Sequence, residues 1–387
     1  MQPIEFIAYY YYSTAYYCFF VVVCWLTIIY YVGSNTQKIL HAESSPSQPL
    51  AVFLTFVVAF FLGLRQIAGD FGDTISYAHH YDLITKYASV KFNTEWLWEN
   101  LQFFSKRVLG FNIHEFFVLD DLLYFSGMLI CSAILMRKNL WLAMLFFFTA
   151  FQTYSFGTNG LRNGLSCSLV LVAMSLLATR TKQYVAAILM LMALFIHRSS
   201  MLPTSMAVLS LFYIKDTKSV LRLWYASIVL SLFAGPLFEQ FFASLGFDDR
   251  MSSYTASSGS NDILYSGFRW DFLFYSAFPV WMIWYVTQYR KFRSPEYSIF
   301  ANTYLLCNAF WILVIRASFS NRFAYLSWFL YPVVIAFPLM RMNLWKDQDR
   351  KTAIIFFFYT GFTFFMFFVY YFGTTGFRGF DQYWWRR

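Results

Sequence analysis

About a dozen apolar segments, most of them near the roughly 20 residues a helix needs to cross hydrocarbon, divide this chain of 387 residues. Their centres fall near Val22, Val57, Gly127, Phe147, Val170, Leu191, Leu209, Val229, Ala277, Ala309, Val333 and Phe364. The segments lack the alternating period of outer-membrane barrel strands, and a helix satisfies its own backbone hydrogen bonds in lipid. The expected fold class is therefore an all-α polytopic membrane protein, a single multispanning domain over residues 1–387 with about 12 transmembrane helices. Composition agrees: hydrophobic residues make up 59% of the chain, charged residues 13%, and the mean hydropathy is +0.49, beyond what a water-soluble domain of this size shows. The first segment, from Ala8 to Val32, is too long for a signal-peptide core and has no basic leader, so it is expected to remain as the first span. The seventh, after Pro203, is the shortest and is also compatible with a re-entrant segment.

Short connections carry the positive charge: Lys38; Arg137 and Lys138; Arg180 and Lys182; Lys215, Lys218 and Arg222; Arg290, Lys291 and Arg293; Arg341, Lys346, Arg350 and Lys351. These mark the cytoplasmic side, holding 15 of the 29 Lys and Arg against five of the 20 acids. The net +9 is thus mostly topology, and dispersed basic residues with no nucleic-acid-binding module exclude DNA or RNA as the expected partner. Five cysteines, all inside apolar segments and without close pairing, read as small apolar fillers rather than a disulfide or zinc framework.

Two outer loops are long, approximately 69–114 and 245–269. The first mixes Trp96, Trp98, Leu101, Phe103 and Phe104 with Glu95, Glu99, Lys106 and Arg107, as an interfacial helix would. The second is rich in Ser and Gly around Arg250 and Tyr254. Around these loops, polar groups gather at the outward ends of the apolar segments. Arg65 through Asp73, with Tyr77, combines a guanidinium, two glycines and two carboxylates. Arg65 can present a planar fork to phosphate oxygens, and Asp70 or Asp73 can accept a hydroxyl proton; alternatively Arg65 snorkels and pairs with Asp70. Gly157 to Gly164 places Arg162 at the start of the fifth span, where the helix N-terminus adds its pull on an anion; a structural pairing with a loop acid is the alternative. His197-Arg198-Ser199-Ser200 brings an imidazole beside a cation that would keep it neutral and basic. Asp248-Asp249-Arg250 with Tyr254, Arg269-Trp270-Asp271, and Arg316 to Arg322 with Tyr325 add cations, carboxylates and aromatic faces suited to sugar rings. A metal is not expected: Asp70, Asp73, His79, His80 and Asp82 crowd one stretch, but adjacent histidines diverge on a helix and arginines can balance a diphosphate instead.

Three of these blocks in order, Arg65 to Asp73 with Tyr77, Leu161-Arg162-Asn163-Gly164, and Phe195-Ile196-His197-Arg198-Ser199, resemble those of the EpsG/Wzy-type polysaccharide polymerases over roughly residues 50 to 340. The resemblance implies a GT-C-type glycosyltransferase architecture in a bacterial cytoplasmic (inner) membrane, active face outward, with no cofactor. It implies transfer of a growing glycan from undecaprenyl diphosphate to an incoming lipid-linked repeat unit, alongside a chain-length regulator and a flippase. On that reading Arg65, Arg162, Arg198, Arg250 and Arg322 with Tyr77, Ser199, Tyr254 and Tyr325 bind substrate, while His197, Asp70 or Asp73 activates the acceptor hydroxyl. An O-antigen ligase would need the same donor site with another acceptor. A transporter or flippase of the same lipid would instead carry its polar groups near the midplane.

Overall fold

The computed structural model describes residues 1–33, 37–41, 47–85, 90, 92, 95–244, 268–317 and 320–370. Every regular element among them is helical. In chain order these are α1 (Tyr12–Val32), α2 (Lys38–His41), α3 (Ser47–Gly63), α4 (Thr74–Asp82), α5 (Trp96–Arg107), α6 (Ile113–Met136), α7 (Leu140–Phe148), α8 (Thr153–Thr158) and α9 (Leu161–Ala178). There follow α10 (Gln183–Ile196), α11 (Met201–Phe212), α12 (Thr217–Ser244), α13 (Trp270–Trp284), α14 (Pro295–Leu313), α15 (Asn321–Trp328), α16 (Tyr331–Arg341) and α17 (Gln348–Phe365). Each of the twelve apolar centres lies on a helix. Among the described residues, five stretches are long and apolar enough to cross a membrane: Tyr9–Val32, Ile113–Phe148, Leu161–Ala178, Asn321–Arg341 and Gln348–Phe368.

Surface chemistry fits lipid as the solvent. Leu26 on α1 and Phe53 on α3 are each 64% exposed, and Phe274 on α13 is 75% exposed, whereas Thr55, Asp121, Asn302 and Asn308 are buried. Water would punish that distribution; hydrocarbon favours it. The chain is a multi-pass membrane protein.

Two compact units divide the chain: residues 1–172, 187–198 and 339–387 form unit 1, and residues 173–186 and 199–338 form unit 2. In unit 1, α3 and α6 approach so closely that a Cβ on Gly63 would overlap the Val118 backbone. The start of α6 is fixed by a capping box, in which Asn112 Oδ1 accepts from the Glu115 amide and Glu115 Oε2 from the Asn112 amide, both at 2.9 Å. At its far end Arg137 and Lys138 turn the chain into α7.

The continuous span expected around Phe147 is instead two short helices, α7 and α8. The Thr149 hydroxyl donates to the Leu145 carbonyl and that of Thr153 to the Phe147 carbonyl, each at 2.7 Å. These side chains satisfy carbonyls where the ladder is interrupted, which makes the break tolerable in an apolar setting.

In unit 2, α14 begins with Ser294 accepting from the Tyr297 amide and Pro295 in the first turn. A neutral hub then ties four helices together. Asn308 on α14 accepts from Trp224 Nε1 on α12 at 2.8 Å and donates to Ser276 Oγ on α13 at 3.1 Å and Ser327 Oγ on α15 at 2.9 Å. Trp328 Nε1 donates to the same Ser276 hydroxyl at 2.8 Å.

Candidate functional site

The three sequence blocks meet in unit 1. A 3-10 turn, Gly69–Phe71, leads to Gly72 at φ +58°, where a Cβ would collide with the Asn159 side chain. Asn159 Oδ1 then accepts from the Asp73 amide at 2.8 Å, and the Thr74 hydroxyl donates to the Thr158 carbonyl at 2.8 Å. The first block is therefore stitched to the second through the turn preceding α9.

Arg65 lies beneath that junction. Its Nε donates to Thr74 Oγ1 at 3.2 Å and its Nη1 to the Leu62 carbonyl at 2.9 Å, while Nη1 stands 3.6 Å from Asp121 Oδ2 and the guanidinium lies over the Phe117 ring. Both ions are fully buried. Arg65 therefore pairs with Asp121, not with Asp70, which lies exposed at the 3-10 turn. The reason is direction: the side chain folds back toward the preceding turn of α3 rather than out to the loop.

The second and third blocks are joined by a residue from the long outer loop. Glu95 Oε2 accepts from Arg162 Nη1 at 2.5 Å, and Glu95 Oε1 lies 2.6 Å from His197 Nδ1 and 3.4 Å from the Arg198 amide. Arg162 also stands over the Tyr77 ring, its Cζ 5.9 Å from the centroid. The three side chains remain open to solvent, at 17% exposure for Glu95, 22% for His197 and 27% for Arg162. Local folding explains the meeting. Helix α5, which starts at Trp96, buries Trp98 among Tyr77, Phe116, Leu161 and Ile196, and this delivers Glu95 to the ends of α9 and α10.

Burial alone would push the Glu95 carboxyl up, but the His197 hydrogen bond and charge, with the Arg162 charge, outweigh it and hold the carboxyl down at about 2. Burial raises the Tyr77 phenol despite the opposing pull of Arg162. The group that His197 Nδ1 touches is a carboxylate rather than the cation expected from the neighbouring Arg198. Arg162 does pair with a loop acid, and the loop acid is Glu95.

The remaining expected residues fall elsewhere. Asp73 is half-buried, Arg198 exposed and Ser199 half-buried in the 3-10 turn Arg198–Ser200. Ser199, Arg322 and Tyr325 belong to unit 2, where Asn321 Nδ2 donates to the Tyr325 hydroxyl at 3.4 Å. Arg250 and Tyr254 lie outside the described residues. Glu95 was not singled out from sequence, and neither were Asp120 and Asp121. The latter pair had a readable signal, two adjacent carboxylates within an apolar span.

A carboxylate holding imidazole Nδ1–H fixes the tautomer in which Nε2 carries the lone pair, as a base must. The Arg162 guanidinium shares the Glu95 carboxylate with that imidazole, and Arg198 follows it in sequence with its backbone amide on the same carboxylate, so the arrangement can move a proton beside a cation able to stabilise an anion. Among known families, residues 50–383 match the profile of the EpsG family. No curated protein and no solved structure matches the chain.

Proposed function

The chain belongs to the EpsG family, and on that premise we propose that it joins undecaprenyl-diphosphate-linked oligosaccharide repeat units into polymer at the outer face of the cytoplasmic membrane. Family membership makes it a polysaccharide polymerase in general terms. The donor lipid, the outward orientation, about twelve crossings in one multispanning GT-C-type domain, and the partnership with a chain-length regulator and a flippase belong to the proposal.

The observation that carries it is the Glu95 bridge between His197 and Arg162. In the proposed step His197 Nε2 takes the proton of the acceptor sugar hydroxyl, and that oxygen bonds to the donor's anomeric carbon. The anomeric carbon–phosphate oxygen bond breaks, and its electron pair leaves on undecaprenyl diphosphate. Arg162 and Arg198 stabilise the charge developing there, joined in this reading by Arg250 and Arg322. Arg65, enclosed and paired with Asp121, serves to hold the first block in place, with Tyr77 beneath Arg162. Asp70 and Asp73, at the edge of the same junction, are the competing bases; Ser199, Tyr254 and Tyr325 are proposed to contact the glycan.

Purified protein given lipid-linked repeat units is expected to extend them into a ladder without ATP. Arg162→Ala is expected to lower kcat by about 10²–10³-fold, as loss of one donor to a developing oxyanion does. Full-rate extension by that variant would remove Arg162 from the clamp, and a single transfer to an unrelated acceptor in place of a ladder would replace polymerase with ligase.

A further inference from the structure

At the other end of unit 1 from the Glu95 bridge lies a cavity of about 310 Å³ bounded by Lys138, Arg341, Gln37, Asn139 and Asn343, with Met136 and Met340 as an apolar floor. Helix α6 separates the two places. It starts beside the functional junction and ends at Met136, and its 24 residues span about 36 Å.

We propose that this cavity binds a phosphate-bearing anion, the headgroup of an anionic phospholipid or free phosphate. Among the described residues its lining contains two cations, three amides and apolar side chains but no acid. Neither Lys138 nor Arg341 forms an ion pair with a carboxylate among the described residues. Asp349, the carboxylate tied to this wall, is buried, with its oxygens accepting from the Lys38 and Ile39 amides at 3.0 Å each. Two like charges facing one concavity repel each other, and an anion between them removes that cost.

The wall is built before any ligand arrives. Gln37 Nε2 donates to Asn343 Oδ1 at 3.2 Å and to the Trp345 carbonyl at 3.0 Å. Asn139 Nδ2 donates to the Ile39 carbonyl at 2.7 Å, and Gln48 Nε2 to the Arg137 carbonyl at 3.1 Å. These bonds fix the three segments that carry the lining while leaving the Lys138 and Arg341 side chains exposed. A basic rim over an apolar floor matches the junction of a phospholipid headgroup with its acyl chains. It lies at the end where Lys38, Arg137, Lys138, Arg341 and Lys346 collect, the end that the positive-inside rule assigns to the anionic cytoplasmic leaflet.

The test uses the full chain in neutral detergent and reads affinity and melting temperature, not polymerisation, so it stands or falls apart from the proposed activity. Phosphatidylglycerol is expected to bind at least about tenfold tighter than phosphatidylcholine, the scale two interfacial cations supply. Lys138→Gln with Arg341→Gln is expected to erase that preference, and Lys138→Arg with Arg341→Lys to keep it. If inorganic phosphate competes with the lipid, the pocket recognises the phosphate group itself; if it does not, the lipid is the ligand. If phosphate raises the melting temperature of the wild type but not of the glutamine variant, with no lipid preference, the ligand is soluble. Equal affinity for the two lipids with no phosphate effect overturns the proposal, as does a preference that survives in the glutamine variant.

Discussion

Asn308 in unit 2 uses both ends of its amide, accepting from Trp224 and donating to Ser276 and Ser327, and every partner in that hub is neutral. In unit 1 the enclosed polar groups include Arg65, Asp120 and Asp121, and among the described residues Arg65 Nη2, Asp120 Oδ1 and both Asp121 oxygens have no hydrogen-bond partner. One arrangement is glue: a saturated neutral network in an apolar medium holds helices together at modest cost. The other concentrates charge directly beneath the junction that carries Gly72, Asp73 and Arg162. Charge placed there raises the cost of every nearby change, and such cost persists where a functional geometry depends on it.

The largest effect expected along this contrast is catalytic. Glu95→Gln keeps the size of the side chain and removes the charge that orients His197. The fall in kcat is expected to be about 10²–10⁴-fold, well beyond what the modest loss of stability at the same site accounts for. A double-mutant cycle with His197→Ala should be strongly non-additive, because the two residues act as one unit. Additive losses would break the dyad apart.

Next come the two enclosed networks themselves. Asp121→Ala strands the Arg65 guanidinium in the core and is expected to cost about 3–5 kcal/mol, whereas Asn308→Ala leaves neutral donors and acceptors unpaired at about 1–3 kcal/mol. Denaturation in matched detergent compares the pair. Combining Arg65→Met with Asp121→Leu sharpens the result, since an apolar replacement of both ions is expected to recover most of the stability. Stability recovered without activity would assign the buried ions to geometry. Equal losses at Asp121 and Asn308 would erase the distinction between the units.

Much of this contrast was beyond the sequence, for physical reasons. Hydrophobicity is local, so the apolar centres from Val22 to Phe364 all landed on helices. The three polar blocks were legible because each concentrates costly residues at a span end, and the structure brings Asp73, Asn159, Arg162 and His197 into one connected junction. Glu95 was not legible. Its partners lie 67 and 102 residues away, and within its own stretch it looks like one more polar residue among the tryptophans of α5. Arg65 had a nearer acid in Asp70, but the backward course of its side chain chose Asp121 from another helix. The broken span at α7 and α8 also escaped, because Thr149 and Thr153 interrupt hydropathy only slightly while their hydroxyls relieve the backbone locally.

The smallest effect is a pH dependence confined to the outward-facing dyad. Glu95 is held from the ordinary 4.5 down to about 2, so the folded state favours the carboxylate and its contribution to stability is fully present above about pH 4.5. Lowering the pH toward 2 protonates it and removes that contribution. Wild type is therefore expected to exceed Glu95→Gln in stability by on the order of 1–2 kcal/mol near neutrality, after allowance for the solvent that reaches the site. The gap should close as pH falls from about 4.5 to about 2, while Asn308→Ala, whose hub has no titrating group, should keep its deficit across the same range. Melting curves at several pH values test this directly. A gap between wild type and Glu95→Gln that stays constant through that window would mean that Glu95 is not held as an anion by His197 and Arg162.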